Sequence, residues 1–398
     1  MIKNKLLCVV PDMYGTGYFR MLRPHQHLQY KYGVDFNVTI VYQKDFKYKI
    51  EDLFDFNIIV YSKTILINNL MTSDNLLKLK SSGVKLVMDL DDYWEVNKNH
   101  PSYLNFKLHK YKDLVFENLK YADYVTCTTE HFANEIRKYH KNVIVFPNAI
   151  DFNENQWVVN EKIQSNRIRV MWCGGSSHLN DIQDLDYLVN KIKHTDLKNK
   201  IQIILCGFNL TDVSIDNSTW VKYEKILTDN YTTISKNYKD FLLKYDLNIK
   251  YDDLENEPYV RIPSTSINNY AKFYNLADIC LAPLEKNKLN DMKSPLKLIE
   301  AGAYSKPIIC GDTYAYKNDI INVYEKGGIY NCNTGNGFIV KDKKDYYKFI
   351  KYLVDNKDKM SLIGDNLHKK IKNDFDLEKI TDKRYEFYLK ICDSVIKY

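Results

Sequence analysis

Short apolar runs separated by helical patterns extend along the whole of this 398-residue chain. In the first half they stand at residues 6–10, 36–41, 58–61, 85–88, 124–127 and 143–146. In the second half they stand at 168–172, 201–206, 279–283, 307–310 and 337–340. Runs this short and mainly apolar suit buried strands. Strand and helix in regular succession give a parallel sheet covered on both sides. Two such blocks predict an α/β chain of two Rossmann-like, doubly wound domains, and the length is enough for two cores. Pro147-Asn148-Ala149-Ile150-Asp151 and a polar stretch to Asn166 separate the blocks. The domains are therefore read as 1–150 and 167–375, with a hinge at 151–166. Residues 208–268 fit least well and read as an insertion. Trp220 to Glu224 belongs to it, 231–245 looks helical, 252–263 looks like a loop, and Ser264 to Tyr270 looks like a capped helix start. A last helix at 376–398 has an apolar face built from Ile380, Tyr385, Tyr388 and Ile391, with Phe375 just before it.

The segment from Lys293 to Cys310 carries the most chemistry. It follows the apolar run Ile279-Cys-Leu-Ala-Pro283. Ser294 is a favoured N-cap residue, and Pro295 suits the first helical position, where its missing N–H costs nothing. Leu296, Ile299 and Ala303 then give a helical face, and Pro307 ends the helix before Ile308-Ile309-Cys310. Lys293, Lys297 and Glu300 thus lie at a helix start at the C-terminal edge of a parallel sheet, where open α/β sheets bind ligands. Free N–H groups with two lysines suit a diphosphate. Glu300 can accept hydrogen bonds from sugar hydroxyls. A solvated i,i+3 pair between Lys297 and Glu300 is the bland alternative.

Lys-Ser-x-Leu-Lys-x-x-Glu, preceded by Ala277-Asp278-Ile-Cys-Leu-Ala-Pro-Leu284, resembles the donor-site helix of GT-B glycosyltransferases of the family-4 type, in a branch common in phages and bacteria. The resemblance covers nearly the whole chain. It implies two domains facing a cleft, a nucleotide-sugar held mainly by the second, and a last helix that crosses back onto the first. It also implies a retaining transfer of a hexose-like sugar to a hydroxyl. Many family-4 enzymes carry a second glutamate eight residues earlier; Met292 stands there, beside Lys293.

Three loops follow predicted strands. Gly15-Thr-Gly17-Tyr-Phe-Arg20 lets backbone approach a ligand, although a full dinucleotide fingerprint is absent and an ordinary turn would look alike. The resemblance places this loop and Arg20 near the transferred sugar. Asp89-Leu-Asp91-Asp92 copies the DxD of metal-binding GT-A enzymes, but the two-sheet layout speaks against that fold. We expect Asp91 and Asp92 to serve the acceptor side, with no metal, because carboxylates at a strand end are costly unless solvated or used. The alternative is a loop whose carboxylates cap a helix. Gly174-Gly175-Ser176-Ser-His178 is the counterpart loop of the second domain. Its glycines can offer N–H groups to phosphate, and His178 either touches the donor or caps the next helix.

The eight cysteines form no CxxC pair, which fits buried thiols in a cytoplasmic protein rather than zinc or redox chemistry. No apolar run approaches the roughly 18 residues of a membrane span, and the start of the chain reads as a strand rather than a signal peptide. Leu104, Leu108, Tyr111 and Val115, with Lys107, Lys110 and Lys112 on other faces, form a basic amphipathic pattern. It suits core packing or peripheral contact with a membrane. The net charge of +6 is compatible with an anionic donor, a membrane or nucleic acid. The expected reaction moves a sugar from a UDP- or GDP-sugar to a glycan, lipid-linked or nucleic-acid hydroxyl, with Lys293 and Lys297 as cations and Glu300 on the ribose. A DNA-modifying transferase and an inactive sugar-binding module are the other readings.

Overall fold

The computed structural model describes residues 4–63, 72–159, 165–208, 219–228 and 258–393. The predicted helix at 231–245 lies outside the described residues, as do 160–164 of the hinge and 394–398 of the tail.

Two six-stranded parallel sheets form the molecule. The first has strands β1 (Asn4–Val10), β2 (Phe36–Tyr42), β3 (Ile58–Ser62), β4 (Lys85–Leu90), β5 (Tyr124–Cys127) and β6 (Val143–Val145), in the order β2-β1-β3-β4-β5-β6. The second has β7 (Ile168–Cys173), β8 (Ile201–Phe208), β9 (Tyr259–Pro263), β10 (Ile279–Ala282), β11 (Ile308–Gly311) and β12 (Phe338–Val340), in the order β12-β11-β10-β7-β8-β9. Strand order reverses between β1 and β3 in one sheet and between β7 and β10 in the other. The C-terminal strand ends at such reversals open a crevice, and here they bring the loops after β1, β4, β7 and β10 to one cleft.

Strand β9 corrects the reading of 259–263 as part of a loop, and 252–257 lie outside the described residues. Tyr259-Val-Arg-Ile-Pro263 pairs with β8, Arg261 facing Leu205 in the register. A charge inside the run hid it. Arg261 is buried because Glu224, on the helix Thr219–Thr228, takes its Nη1 at 3.0 and 3.1 Å. The segment before β10 is a 3₁₀ turn, Tyr270–Leu276, with no side-chain cap, rather than a helix capped by Ser264.

The helix Leu377–Asp393 packs on the first domain. Tyr388, Ile391 and Cys392 join Leu6, Cys8, Val10, Leu28 and Phe36 in one buried cluster. Tyr385 stacks on Tyr32 at 3.7 Å, and Lys31 pairs with Asp382 at 2.6 Å. Where the two crossing segments meet, Ile150 and Phe375–Leu377 exchange backbone hydrogen bonds of 3.0 and 2.9 Å. Contacts also join the domains beside the cleft. Leu289 and Met292 of the second domain pack into the core cluster of the first. Lys288 pairs with Glu135 at 2.7 Å, and the His131 ring stacks on Tyr314 at 4.1 Å. Met292, at the position of the missing glutamate, is therefore an apolar contact between domains.

The basic amphipathic pattern is two helices, Tyr103–Leu108 and Tyr111–Tyr121, broken at Lys110, whose φ is 46°. Val115 is buried, whereas Leu104 and Leu108 are exposed, so they form no continuous face. Among the described residues, no helix is long and apolar enough to cross a membrane.

Candidate active site

The cleft between the sheets has a volume of about 530 Å³, within the usual range for ligand sites. Tyr14, Gly15, Thr16, Arg20, Asp91, Asp92 and Asn148 line it from the first domain. Gly175, Ser177, His178, Lys293, Ser294, Lys297 and Glu300 line it from the second. Gly17, Gly174 and Ser176 stand outside that lining.

On the second-domain wall, the helix runs Leu296–Ala303 with Pro295 as its N-cap. The start lies one residue later than Ser294 and Pro295 suggested. Ser294 does not cap; its hydroxyl is buried without a partner and belongs to a residue on the cleft wall. A buried hydroxyl left unmet is costly, and a ligand atom there would satisfy it. The i,i+3 pair between Lys297 and Glu300 does not form. The Lys297 ammonium donates to the Cys173 carbonyl at the end of β7 and sits 5.3 Å from the Trp172 ring centre. Gly174 makes room for it, since a Cβ there would lie 2.7 Å from Nζ. The Gly174 N–H is bonded to the Cys206 carbonyl at 3.3 Å. Gly175 faces open space. Lys293 has no ion pair among the described residues. Glu300 is 4% exposed; Tyr270 donates to one carboxylate oxygen, and Tyr274 donates to the other at 2.5 Å. Burial pushes its carboxyl above the usual range, opposed by Lys297 and the two hydroxyls.

On the first-domain wall, the acidic triplet divides. Asp89 is buried and faces the core, where Arg20 holds it in a bidentate pair at 3.0 and 2.7 Å and Thr126 donates at 2.6 Å. Arg20 also donates to the Phe146 carbonyl and, at 3.3 Å, to Asn148. Its charge is thus already met by protein. Asp91 accepts from Thr16 and pairs with Lys63 at 2.8 Å; Asp92 lies 3.8 Å from the same ammonium. Burial pushes both carboxyls up. Lys63 and Thr16 outweigh it for Asp91, which is held below the usual range, while the Asp91 charge keeps Asp92 above it. Gly17 serves the fold of this loop, because a Cβ there would lie 1.9 Å from the Asp12 carbonyl oxygen.

The sequence reading missed Lys63, Thr16, Asn148, Tyr270 and Tyr274. Lys63 follows β3 directly, at the same sheet edge as the other loops, and that position was the available signal. It holds a left-handed φ of 58°, with its N–H donating to the Asp89 carbonyl at 2.9 Å. Strain of this kind persists where surrounding contacts enforce it. Thr16 lay inside the glycine loop already singled out. Tyr270 and Tyr274 carried no motif.

No family model and no curated protein matches the sequence. Solved structures do match in fold. Sucrose-phosphate synthase from Thermosynechococcus elongatus superposes with a TM-score of 0.64 at 12% identity, covering 98% of this chain and 100% of that one. HepE of Anabaena, in complex with UDP and glucose, gives 0.61 at 11% identity, covering 97% and 100%. The chain has the GT-B fold. A third GT-B neighbour, an alpha-glucosyltransferase in complex with UDP-glucose and DNA containing an abasic site, gives 0.57 at 12% identity, covering 97% and 98%. In GT-B terms, the cleft described above is the space between the two Rossmann-like domains.

Proposed function

We propose that the protein is a glycosyltransferase that moves a sugar from a nucleoside-diphosphate donor, a UDP-sugar in the first instance, to a hydroxyl acceptor. The observation that carries this reading is the cluster on the second-domain wall: Lys293 without an ion pair among the described residues, Lys297 fixed at the end of β7, and the Ser294 hydroxyl, which is buried with no partner among the described residues. Fixed cations placed where charge grows on a leaving diphosphate are the main electrostatic requirement of such a transfer. Glu300, oriented by Tyr270 and Tyr274, would accept from the ribose. Gly15 and Gly175, the open glycines of the two facing loops, would let backbone approach sugar and phosphate. Two of the neighbours are in complex with UDP or UDP-glucose, which supports UDP as the first donor to test. Retention of configuration follows from the family-4 resemblance alone.

Asp91 and Asp92 would serve the acceptor, with Lys63 keeping Asp91 ionised so that it can orient a hydroxyl or take its proton. The reading includes transfer without a divalent metal. Asp89 is committed to Arg20, and the Lys63 ammonium already sits between the other two carboxylates. A thermal-shift screen of UDP, GDP, ADP and their sugars should show stabilisation by one family of nucleotides. Slow donor hydrolysis should accompany it, which separates an enzyme from a sugar-binding module. Turnover should survive excess EDTA; full loss restored by manganese or magnesium would make the triplet a metal site. A duplex acceptor is a second reading, favoured by the neighbour in complex with DNA and by the net charge of +6. The acidic acceptor wall weighs against it, and salt-sensitive duplex binding would reveal it.

A further inference from the structure

His178 lines the cleft, and the proposed transfer does not use it. Its ring is fixed on several sides. Nδ1 lies 2.6 Å from Asp181 Oδ2. Asp181 is itself anchored through Oδ1 by the Glu285 N–H at 2.9 Å and the Asn290 amide at 2.7 Å. The His178 N–H donates to the Tyr223 hydroxyl at 2.8 Å, and Tyr223 donates on to the Gly175 carbonyl at 3.1 Å. The Trp172 ring meets the imidazole edge to face at 6.1 Å. With Asp181 on Nδ1, the neutral ring keeps its proton there and carries its lone pair on Nε2, on a residue that lines the cleft.

The charged groups around this ring are Asp181 on its own turn and Lys293 and Lys297 after β10; Tyr223 approaches from the helix Thr219–Thr228. His100 of the first domain faces Asp181 and Lys293. We infer that entry of a nucleoside diphosphate into the cleft is coupled to uptake of one proton from solvent at His178 Nε2, and that the imidazolium so formed donates to a phosphate oxygen. Nδ1–H stays on Asp181 throughout, and the Nε2 proton returns to solvent when the diphosphate leaves. The inference rests on the donor reading above. Among the protein's own groups, burial, then the charges of Lys293 and Lys297, push the imidazole down to about 4, against the pull of Asp181. A diphosphate reverses that balance. It sets at least two negative charges against the two lysines, and a single unit charge at hydrogen-bonding distance is enough to carry such a ring back to the neutral range. Asp181, held ionised by His178 and Lys293 against its burial, then balances the second side of the imidazolium.

The sign follows from linkage. Between the free and bound titration points the complex holds more protons than its parts, so affinity rises as pH falls, by up to tenfold per unit. Calorimetry of UDP binding at pH 6.5, in two buffers of different ionisation enthalpy, gives the net proton uptake. The terminal phosphate of UDP titrates near ~6, so its contribution is removed by comparison with His178→Gln. Wild type should take up several tenths of a proton more than the variant. Histidine ring NMR of the wild type alone should move one ring to the imidazolium position on adding UDP, a readout that does not depend on the variant folding. Equal uptake in both proteins, or a ring that stays neutral in the complex, overturns the inference while the donor reading stands. Failure of UDP, GDP and ADP all to bind overturns the donor reading and this inference with it.

Discussion

Lys297→Ala is expected to slow sugar transfer by ~10²- to 10³-fold, the range for removing one fixed group that stabilises developing charge. The Lys297 ammonium is tethered to the Cys173 carbonyl and rests over Trp172 in space left by Gly174. It therefore needs no reorganisation when the sugar–phosphate bond breaks. Charge on the leaving diphosphate grows in the transition state, so the loss should fall on kcat more than on affinity for the nucleoside part. Steady-state kinetics with the donor identified by thermal shift, together with nucleoside monophosphate affinity, would separate the two effects. Equal losses in both would make Lys297 a ground-state binding group only.

Arg20→Ala should produce the second large effect, in stability. Arg20 and Asp89 are both 1% exposed and form a two-bond pair in the core of the first domain. Removing the guanidinium leaves a buried carboxylate with, among the described residues, only the Thr126 hydroxyl as side-chain partner. Breaking one side of a buried pair typically costs about 3–5 kcal/mol. Arg20→Ala combined with Asp89→Ala should cost less than the sum of the two single changes, because no lone charge is then stranded. Urea unfolding would measure both. The single variant should also transfer sugar poorly where it folds, since Arg20 helps hold Asn148 at the cleft wall.

The fold was largely legible because parallel strands buried on both faces announce themselves as short apolar runs. Strand β9 was the exception, and the reason is physical. Arg261 is tolerated inside the strand only because Glu224, 37 residues away, neutralises it, and local sequence does not report such a partner. In the cleft, the placement of Lys293, Lys297 and Glu300 followed from a helix start after a strand, whereas the partners of those residues did not. Lys297 turns to Cys173 and Glu300 to two tyrosines, so a pair that spacing allowed is absent. The acidic triplet looked like one unit. Strand alternation sends Asp89 into the core and leaves Asp91 and Asp92 beyond the strand end, where Lys63 meets them. A single lysine after a strand has no motif, so it emerged only when the sheet brought it beside those carboxylates.

The central claim is that the helix Leu296–Ala303 and the residues before it hold a nucleoside diphosphate. The most direct test is calorimetric titration of UDP, GDP and ADP into the wild-type protein and into Glu300→Ala. One diphosphate should bind the wild type and bind the variant at least ~10-fold more weakly, the order expected for losing hydrogen bonds to a charged group. Absence of binding by all three, or the same affinity in both proteins, would contradict the account.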